Sequence, residues 1–244
     1  MNPPLELFVL SWGVYPRRVL TYLAEKNLLN SPLIKISEST ASETGELSAP
    51  RKPKGSVPVL RLPDGSFIKQ SIAILLYFED ICDHPEEPWQ VELSKQAKGS
   101  MLGETAAEKA RVRDMLCLAD EITSQFVLAC HKGTALFVQL ETTNAIASKL
   151  IMEYCYKNLK LLAKYYDNDL RFDDDEGKVN VADCVLQAVL YFGKDVYGLD
   201  LVVDPELASL RTFYEWMEKR ESVKVELPCP EWIQQLASQW LPVE

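Results

Sequence analysis

Two histidines and six cysteines are the scarce reactive side chains of this 244-residue sequence, and their spacing excludes more chemistry than it supports. His84 and His131 alone build no His-rich zinc site. Cys82, Cys117, Cys130, Cys155, Cys184 and Cys229 form no C-x-x-C pair, and most fall inside apolar helical patterns. They read as buried free thiols in a reducing compartment rather than as a disulfide framework. No G-x-G-x-x-G, P-loop or G-x-S-x-G occurs, so the common nucleotide and serine-hydrolase signatures are absent. The acidic run Asp173 to Gly177 lacks the EF-hand positions of glycine and distal glutamate and reads as a solvated loop. Two other places invite chemistry. Pro58 follows Val57 and opens a strand, where a cis bond is the expected special feature and would leave a bare N–H and C=O at Val57. Ser71 begins a helix, where unpartnered N–H groups and the macrodipole favour an anion, a plain N-cap role being the simpler alternative.

The elements that must position these groups change character along the chain. Leu5 to Leu10 reads as a buried strand, and Tyr15 to Leu28 as a helix with Val19, Leu20, Leu23 and Ala24 at helical spacing and Pro16 in its first turn. Pro32 to Ile36 is a second strand. Ser37 to Lys54 is polar and reads as irregular. Val57 to Leu60 and Phe67-Ile68 flank Pro63-Asp64-Gly65-Ser66, a hairpin signal, and Ser71 to Asp83 is helical. The order predicts a parallel crossover followed by an antiparallel pair. His84-Pro85-Glu86-Glu87-Pro88 reads as a rigid exposed linker, after which only helices are expected. Asn180-Val181-Ala182-Asp183 is a capping-box variant that opens one of them. The expectation is an α+β chain: residues 1–84 as the first domain, 85–98 as linker, 99–244 as an all-helical second domain.

Thirty-six acidic against 26 basic residues leave a net charge of -10, a field that repels nucleic acid and anionic lipid. No apolar run approaches the roughly 18 residues of a spanning helix. Met1 to Pro4 lacks the basic start of a signal peptide, and Leu241 to Glu244 is neither a prenylation box nor a peroxisomal address, so a cytoplasmic location is expected.

Four segments in this order resemble the glutathione transferase superfamily, especially its fungal members. They are Arg17-Arg18-Val19 with Leu23-Ala24-Glu25-Lys26, Pro53 to Leu60 around Val57-Pro58, Gln70-Ser71-Ile72-Ala73-Ile74, and Asn180 to Asp183. The resemblance covers nearly the whole chain. It implies a thioredoxin-like N-terminal domain with a mixed four-stranded sheet, which binds glutathione, and an all-α C-terminal domain that supplies a hydrophobic substrate pocket. By the same resemblance Val57 and Pro58 pair with the cysteinyl backbone of glutathione, Gln70 and Ser71 hold its γ-glutamyl end, and Lys54 or Arg51 neutralises the glycyl carboxylate, unless these cations are solvated loop charges. Gln70 replaces an acid found in many members. Glutathione is then the co-substrate, no metal is implied, and a homodimer is expected, with Arg111 and Arg113 facing acidic linker residues across its interface. Met115 and Phe126, with Tyr154, are the substrate-side candidates on the long helices, and they are equally good core residues.

One departure bears on mechanism. A thiol with a reference pKa near 8.5 is only about 3% thiolate at pH 7, and making thiolate predominant takes a shift of roughly two units, or about 2.7 kcal/mol. One hydrogen bond to the anion supplies roughly 1.5 to 3 kcal/mol, and a helix N-terminus about 0.3 to 1. The family pattern puts Gly13 where serine or cysteine types carry the catalytic side chain, and Leu7 or Phe8 where tyrosine types carry theirs. The remaining hydroxyls are Ser11, the first candidate to polarise the thiol, and Tyr15, the second; the Gly13 N–H is a third donor. The expected function is addition of the glutathione thiolate to an electrophilic apolar small molecule. Conjugation is the generic outcome, with isomerisation, dehydration or lyase chemistry through a transient adduct, as in secondary metabolism, as variants. The competing reading is a non-catalytic binding or scaffold protein of the same fold.

Overall fold

A computed structural model describes residues 4–42 and 45–243. Strand β1 (Leu5–Val9) is buried along its whole length and is an inner strand of a four-stranded sheet, ordered β2 (Ile34–Glu38), β1, β5 (Val59–Arg61), β6 (Phe67–Ile68). Its parallel neighbour is β2 (Ile34–Glu38), in register Leu5 to Ile34, and its antiparallel neighbour is β5 (Val59–Arg61), in register Leu7 to Leu60. Strand β6 (Phe67–Ile68) closes the hairpin expected at Asp64-Gly65. There Gly65 takes φ +88°, a region that penalises a Cβ, and Asp64 accepts from the N–H and hydroxyl of Ser66. The polar stretch expected to be irregular carries a small separate hairpin, β3 (Thr40–Ala41) with β4 (Leu47–Ser48). A mixed sheet with helices, followed by helices only, is the thioredoxin-like plus all-α architecture of the sequence reading.

Helix α1 (Val14–Glu25) is buried on nearly every side, because the helix over Ser71–Asp83 packs on one face and α6 (Val181–Tyr191) on another. Two arginines that would ordinarily seek water are therefore inside. Arg17 donates to the carbonyls of Val223 and Lys224, 2.8 and 3.2 Å away, and so ties α1 to the C-terminal part of the chain. Helix α2 (Ser71–Asp83) is fixed to α1 by a buried pair, Lys26 to Glu79 at 2.7 Å, whose carboxylate also accepts from Tyr22, Ser100 and the Met101 N–H. Satisfying both Glu79 oxygens offsets the desolvation of the pair.

The segment expected as linker folds as helix α3 (Pro88–Gln96). Its proline, read as a helix breaker, stands in the first turn, where no intrahelical N–H is lost, and Gln90 Oε1 accepts from the N–H groups of Glu86 and Glu87. Fully buried Leu93 anchors it. Beyond it, α4 (Ala106–Gly133) and α5 (Ala145–Tyr166) form the long antiparallel pair of the helical domain, and α7 (Ala208–Glu218) and α8 (Glu231–Ala237) complete it. The capping box of α6 is present in both directions: Asn180 Oδ1 accepts from the Asp183 N–H at 3.0 Å, and Asp183 Oδ2 from the Asn180 N–H at 2.8 Å. Asp183, fully buried, also accepts from Tyr166 and Arg171. Among the described residues no helix is long and apolar enough to cross a membrane.

Candidate functional site

The N-termini of α1 and α2, the segment before β5 and the middle of α4 enclose a cleft of about 520 Å³. Tyr15, Val57, Pro58, Gln70 and Ser71 all line it, so five of the residues singled out in the sequence come together. The Val57–Pro58 peptide is cis, and neither the N–H nor the C=O of Val57 has a partner among the described residues. Gln70 is the N-cap of α2, with no side-chain cap bond, and Ser71 follows as the first helical residue rather than as the cap. The first N–H groups of α2 are thus left for a ligand or water.

Two residues that the sequence reading did not single out for the site shape its charge. Arg18 is fully buried, and its Nη1 donates to Asp120 Oδ1 at 2.6 Å and to Ser71 Oγ at 3.1 Å. Burial lowers the Arg18 pKa, and Asp120 opposes that by favouring the cation. The Tyr15 ring covers the guanidinium at 4.8 Å from its centroid. Nε and Nη2 of Arg18 have no partner. Because a guanidinium N–H already occupies a lone pair of the Ser71 oxygen, the hydroxyl proton is left to donate into the cleft. Asp120 and Ser124, one helical turn apart on α4, form the opposite wall, and their i, i+4 spacing is the signal in the sequence that both face one way.

The thiol-activating candidates fare unequally. Ser11 is not in this cleft: its hydroxyl and N–H both donate to the Glu38 carboxylate, at 2.6 and 2.8 Å, at the end of β2. Strand β2 flanks β1 on the side away from β5, so Ser11 is turned from the Val57 peptide and its proton is committed. The Gly13 N–H is not free either, since it donates to Leu10 O at 2.8 Å. Tyr15 remains, together with the N–H groups of Val14 and Tyr15, which precede the first intrahelical bond, Arg17 N–H to Gly13 O. Gly13 itself has φ -72° and ψ 141°, an N-cap conformation open to any residue.

The loop cations divide as well. Arg51 pairs with Glu6 at 2.9 Å and is unavailable to a ligand. Lys54 is exposed and outside the lining of the cleft, whereas its neighbour Lys52 braces the loop through the carbonyls of Leu47, Pro53 and Gly55. Phe126, fully buried and edge-on to Tyr197, is core, because its stripe of α4 faces the bundle interior. Met115 is 4% exposed and borders a different cavity, between the start of α4 and the end of α5. Tyr154 points outward from α5, 60% exposed.

The apolar space that those helices were expected to supply lies elsewhere. A cleft of about 540 Å³ opens on the other side of the β1–α1 turn, walled by Leu10, Trp12, Leu136, Phe137, Trp232 and Leu236 among others, and none of its described lining residues is charged. These side chains come in short groups from segments far apart in the chain, so no one periodic pattern reveals them together; the apolar run Ala135 to Val138 and the i, i+4 pair Trp232 and Leu236 on α8 are the available signals.

A family model described as "Glutathione S-transferase, N-terminal domain" matches residues 12–81, which holds the Val57, Gln70 and Ser71 cluster. Glutathione S-transferase 2 of Saccharomyces cerevisiae is 27% identical over 221 residues, covering 87% of this chain and 84% of the yeast protein. The crystal structure of Gtt2 from the same yeast superposes with a TM-score of 0.66 at 24% identity, covering 89% of this chain and 98% of that one. A glutathione transferase family member from Pseudomonas fluorescens Pf-5, solved with bound glutathione, superposes with a TM-score of 0.66 at 19% identity, covering 93% and 100%. The transferase N-terminal model thus lies on the first domain, and the yeast transferase is similar to this chain across both domains.

Proposed function

We propose that this glutathione transferase-like enzyme binds glutathione in the cleft at Val57, Gln70 and Ser71 and delivers its thiolate to a neutral, apolar electrophile in the adjoining cleft. The observation that carries the reading is the juxtaposition of an open Val57 backbone and an outward-donating Ser71 with an uncharged apolar space, on two sides of one turn. An extended tripeptide pairs with Val57 as a short antiparallel strand, and its γ-glutamyl carboxylate meets the Ser71 hydroxyl and the N-terminus of α2. The sulfur then lies toward the N-terminus of α1. There the N–H groups of Val14 and Tyr15 and the Tyr15 hydroxyl stabilise the thiolate, in place of the side chain that Gly13 lacks. The apolar walls favour an uncharged acceptor carbon and keep water from the nucleophile. Addition is the chemistry supported; disulfide reduction is not, because no cysteine lines either cleft.

A homodimer and a cytoplasmic location complete the proposal. An exposed apolar row on α5, Ile146, Leu150 and Tyr154, supports the former. The rival reading, a binding protein without turnover, is favoured by the commitment of Ser11 to Glu38 and of the Gly13 N–H to Leu10. Calorimetry with glutathione, then the ultraviolet absorbance of bound thiolate across pH, separates the two. Tight binding with a thiol pKa left near 8.5 would replace the enzyme by the binding protein.

A further inference from the structure

We propose that His131 is the positioning residue that sets the width of the apolar cleft, acting through Phe137, and so decides which apolar ligands the cleft admits. This rests on the reading of that cleft as the electrophile's site. Between α4 and α5 the chain leaves the helix, and this short connection supplies Leu136, Phe137, Val138 and Leu140 to the lining of the cleft. Its two ends are pinned by backbone bonds: the Ala135 N–H donates to Gln239 O at 2.9 Å, and the Asn144 N–H to Lys132 O at 2.8 Å. Val138 and Leu140 are exposed, so burial does not hold the middle of the connection. The Phe137 ring is held instead by the imidazole of His131, stacked on it with centroids 3.8 Å apart and planes 23° from parallel. The imidazole is itself anchored. Glu141 Oε1 lies 2.6 Å from His131 Nδ1, and Glu141 Oε2 accepts from Lys132 Nζ at 2.7 Å. Lys132 holds the Glu141 carboxyl below its ordinary range, so Glu141 is an acceptor and Nδ1 carries the proton between them. A ring with a polar edge thus does what neither a phenyl nor a flexible cation would do at this place: its edge is fixed by a charge while its face stays against Phe137. Without that ring the Phe137 side chain regains its rotamers and the wall is free to swing outward. A narrow ligand then loses contacts, and a broad one gains room.

The test measures kcat and KM, with glutathione, for two neutral electrophiles of different width, benzyl and naphthylmethyl isothiocyanate. Beside it, displacement of the neutral dye N-phenylnaphthylamine by benzyl alcohol and by naphthylmethanol reads the same cleft with neither glutathione nor turnover. For His131→Ala, KM for the benzyl compound should rise about two- to tenfold, the range for one aromatic pair, with kcat unchanged. KM for the naphthylmethyl compound should stay level or fall, and the two alcohols should follow the same pattern. His131→Phe, which keeps a ring on Phe137, should recover most of the wild-type preference. Phe137→Ala should shift the preference toward the naphthylmethyl compound, and adding His131→Ala to it should change nothing further. If His131→Ala weakens both ligands alike, or if its effect adds to that of Phe137→Ala, His131 only braces the connection and this proposal falls alone. A wild-type chain that turns over neither isothiocyanate while His131→Ala still shifts the displacement ratio keeps the role of His131 and overturns the thiolate-transfer reading. A wild-type chain that does not bind the dye overturns this proposal, because no apolar ligand then enters the cleft.

Discussion

The two ends of the cleft at Val57 are built to different standards. At the Ser71 end, three elements converge on one guanidinium, and donor and acceptor are locked by bonds of 3.1 and 2.6 Å. At the Gly13 end there is no side chain to offer. The hydroxyl just beyond the strand, Ser11, is tied to Glu38, and Tyr15 is the residue from the start of α1 that lines the cleft beside Arg18. The contrast separates two jobs that are often discussed together. On the proposed reading, holding the peptide depends on fixed charges, whereas activating its sulfur depends on a helix terminus and one phenol.

The largest expected effect lies outside both ends and calibrates them. Asp183→Ala breaks a buried pair with Arg171 as well as the α6 cap, so a loss of about 3 to 5 kcal/mol of stability is expected, read by denaturant melts. A loss of under 1 kcal/mol would show that the cap alone matters. Next, Ser71→Ala should weaken glutathione binding by about 1.5 to 3 kcal/mol while leaving the pKa of the bound thiol in place. A moved thiol pKa would mean that the two ends are not independent. Gly13→Ser should act in the opposite way. Its Cβ would sit 3.2 Å from Leu10 O and 3.5 Å from Pro16 Cδ, a fit that needs only a small adjustment, and its hydroxyl would cap α1. The bound-thiol pKa should fall by about one unit, with turnover rising and affinity nearly constant. If Gly13→Ser leaves the pKa unmoved, the thiol is not at this end of the cleft. The smallest effects separate the hydroxyls: Tyr15→Phe should raise the thiol pKa by about half a unit to one unit, and Ser11→Ala by less than about 0.3. A larger shift for Ser11→Ala would restore it as the activating group.

What was legible in the sequence follows from range. Periods of two and 3.6, the Asp64-Gly65 turn and the Asn180 to Asp183 cap are local signals, and each stands where it was read. Helix α3 was hidden because Pro88 punctuates a linker and a first helical turn alike. In the cleft, Val57 and Ser71 were visible because local backbone features mark them, and Gln70 only through the family resemblance. Asp120 and Arg18 were not, because an arginine inside an apolar helix face declares no partner until the helix that brings the carboxylate is in place. Phe126 shows the converse, since a stripe of large apolar residues at helical spacing describes a core as well as it describes a pocket. Ser11 was misjudged on long-range geometry: it lies in the turn beyond β1, where Glu38 at the end of β2 takes its hydroxyl proton, and nothing local in the sequence announces that partner.

The bridge from Arg18 on α1 to Asp120 on α4 means that the cleft is walled by both domains, and this has a thermodynamic consequence. A ligand seated there binds the docked pair of domains and not either one apart, so its binding energy is added to the stability of the whole chain. At a glutathione concentration a hundred times its Kd that addition is about 2.7 kcal/mol, a large fraction of the net stability of a typical domain. On the proposed glutathione reading, the melting temperature of this protein becomes a gauge of the glutathione pool, and draining that pool would loosen the protein itself.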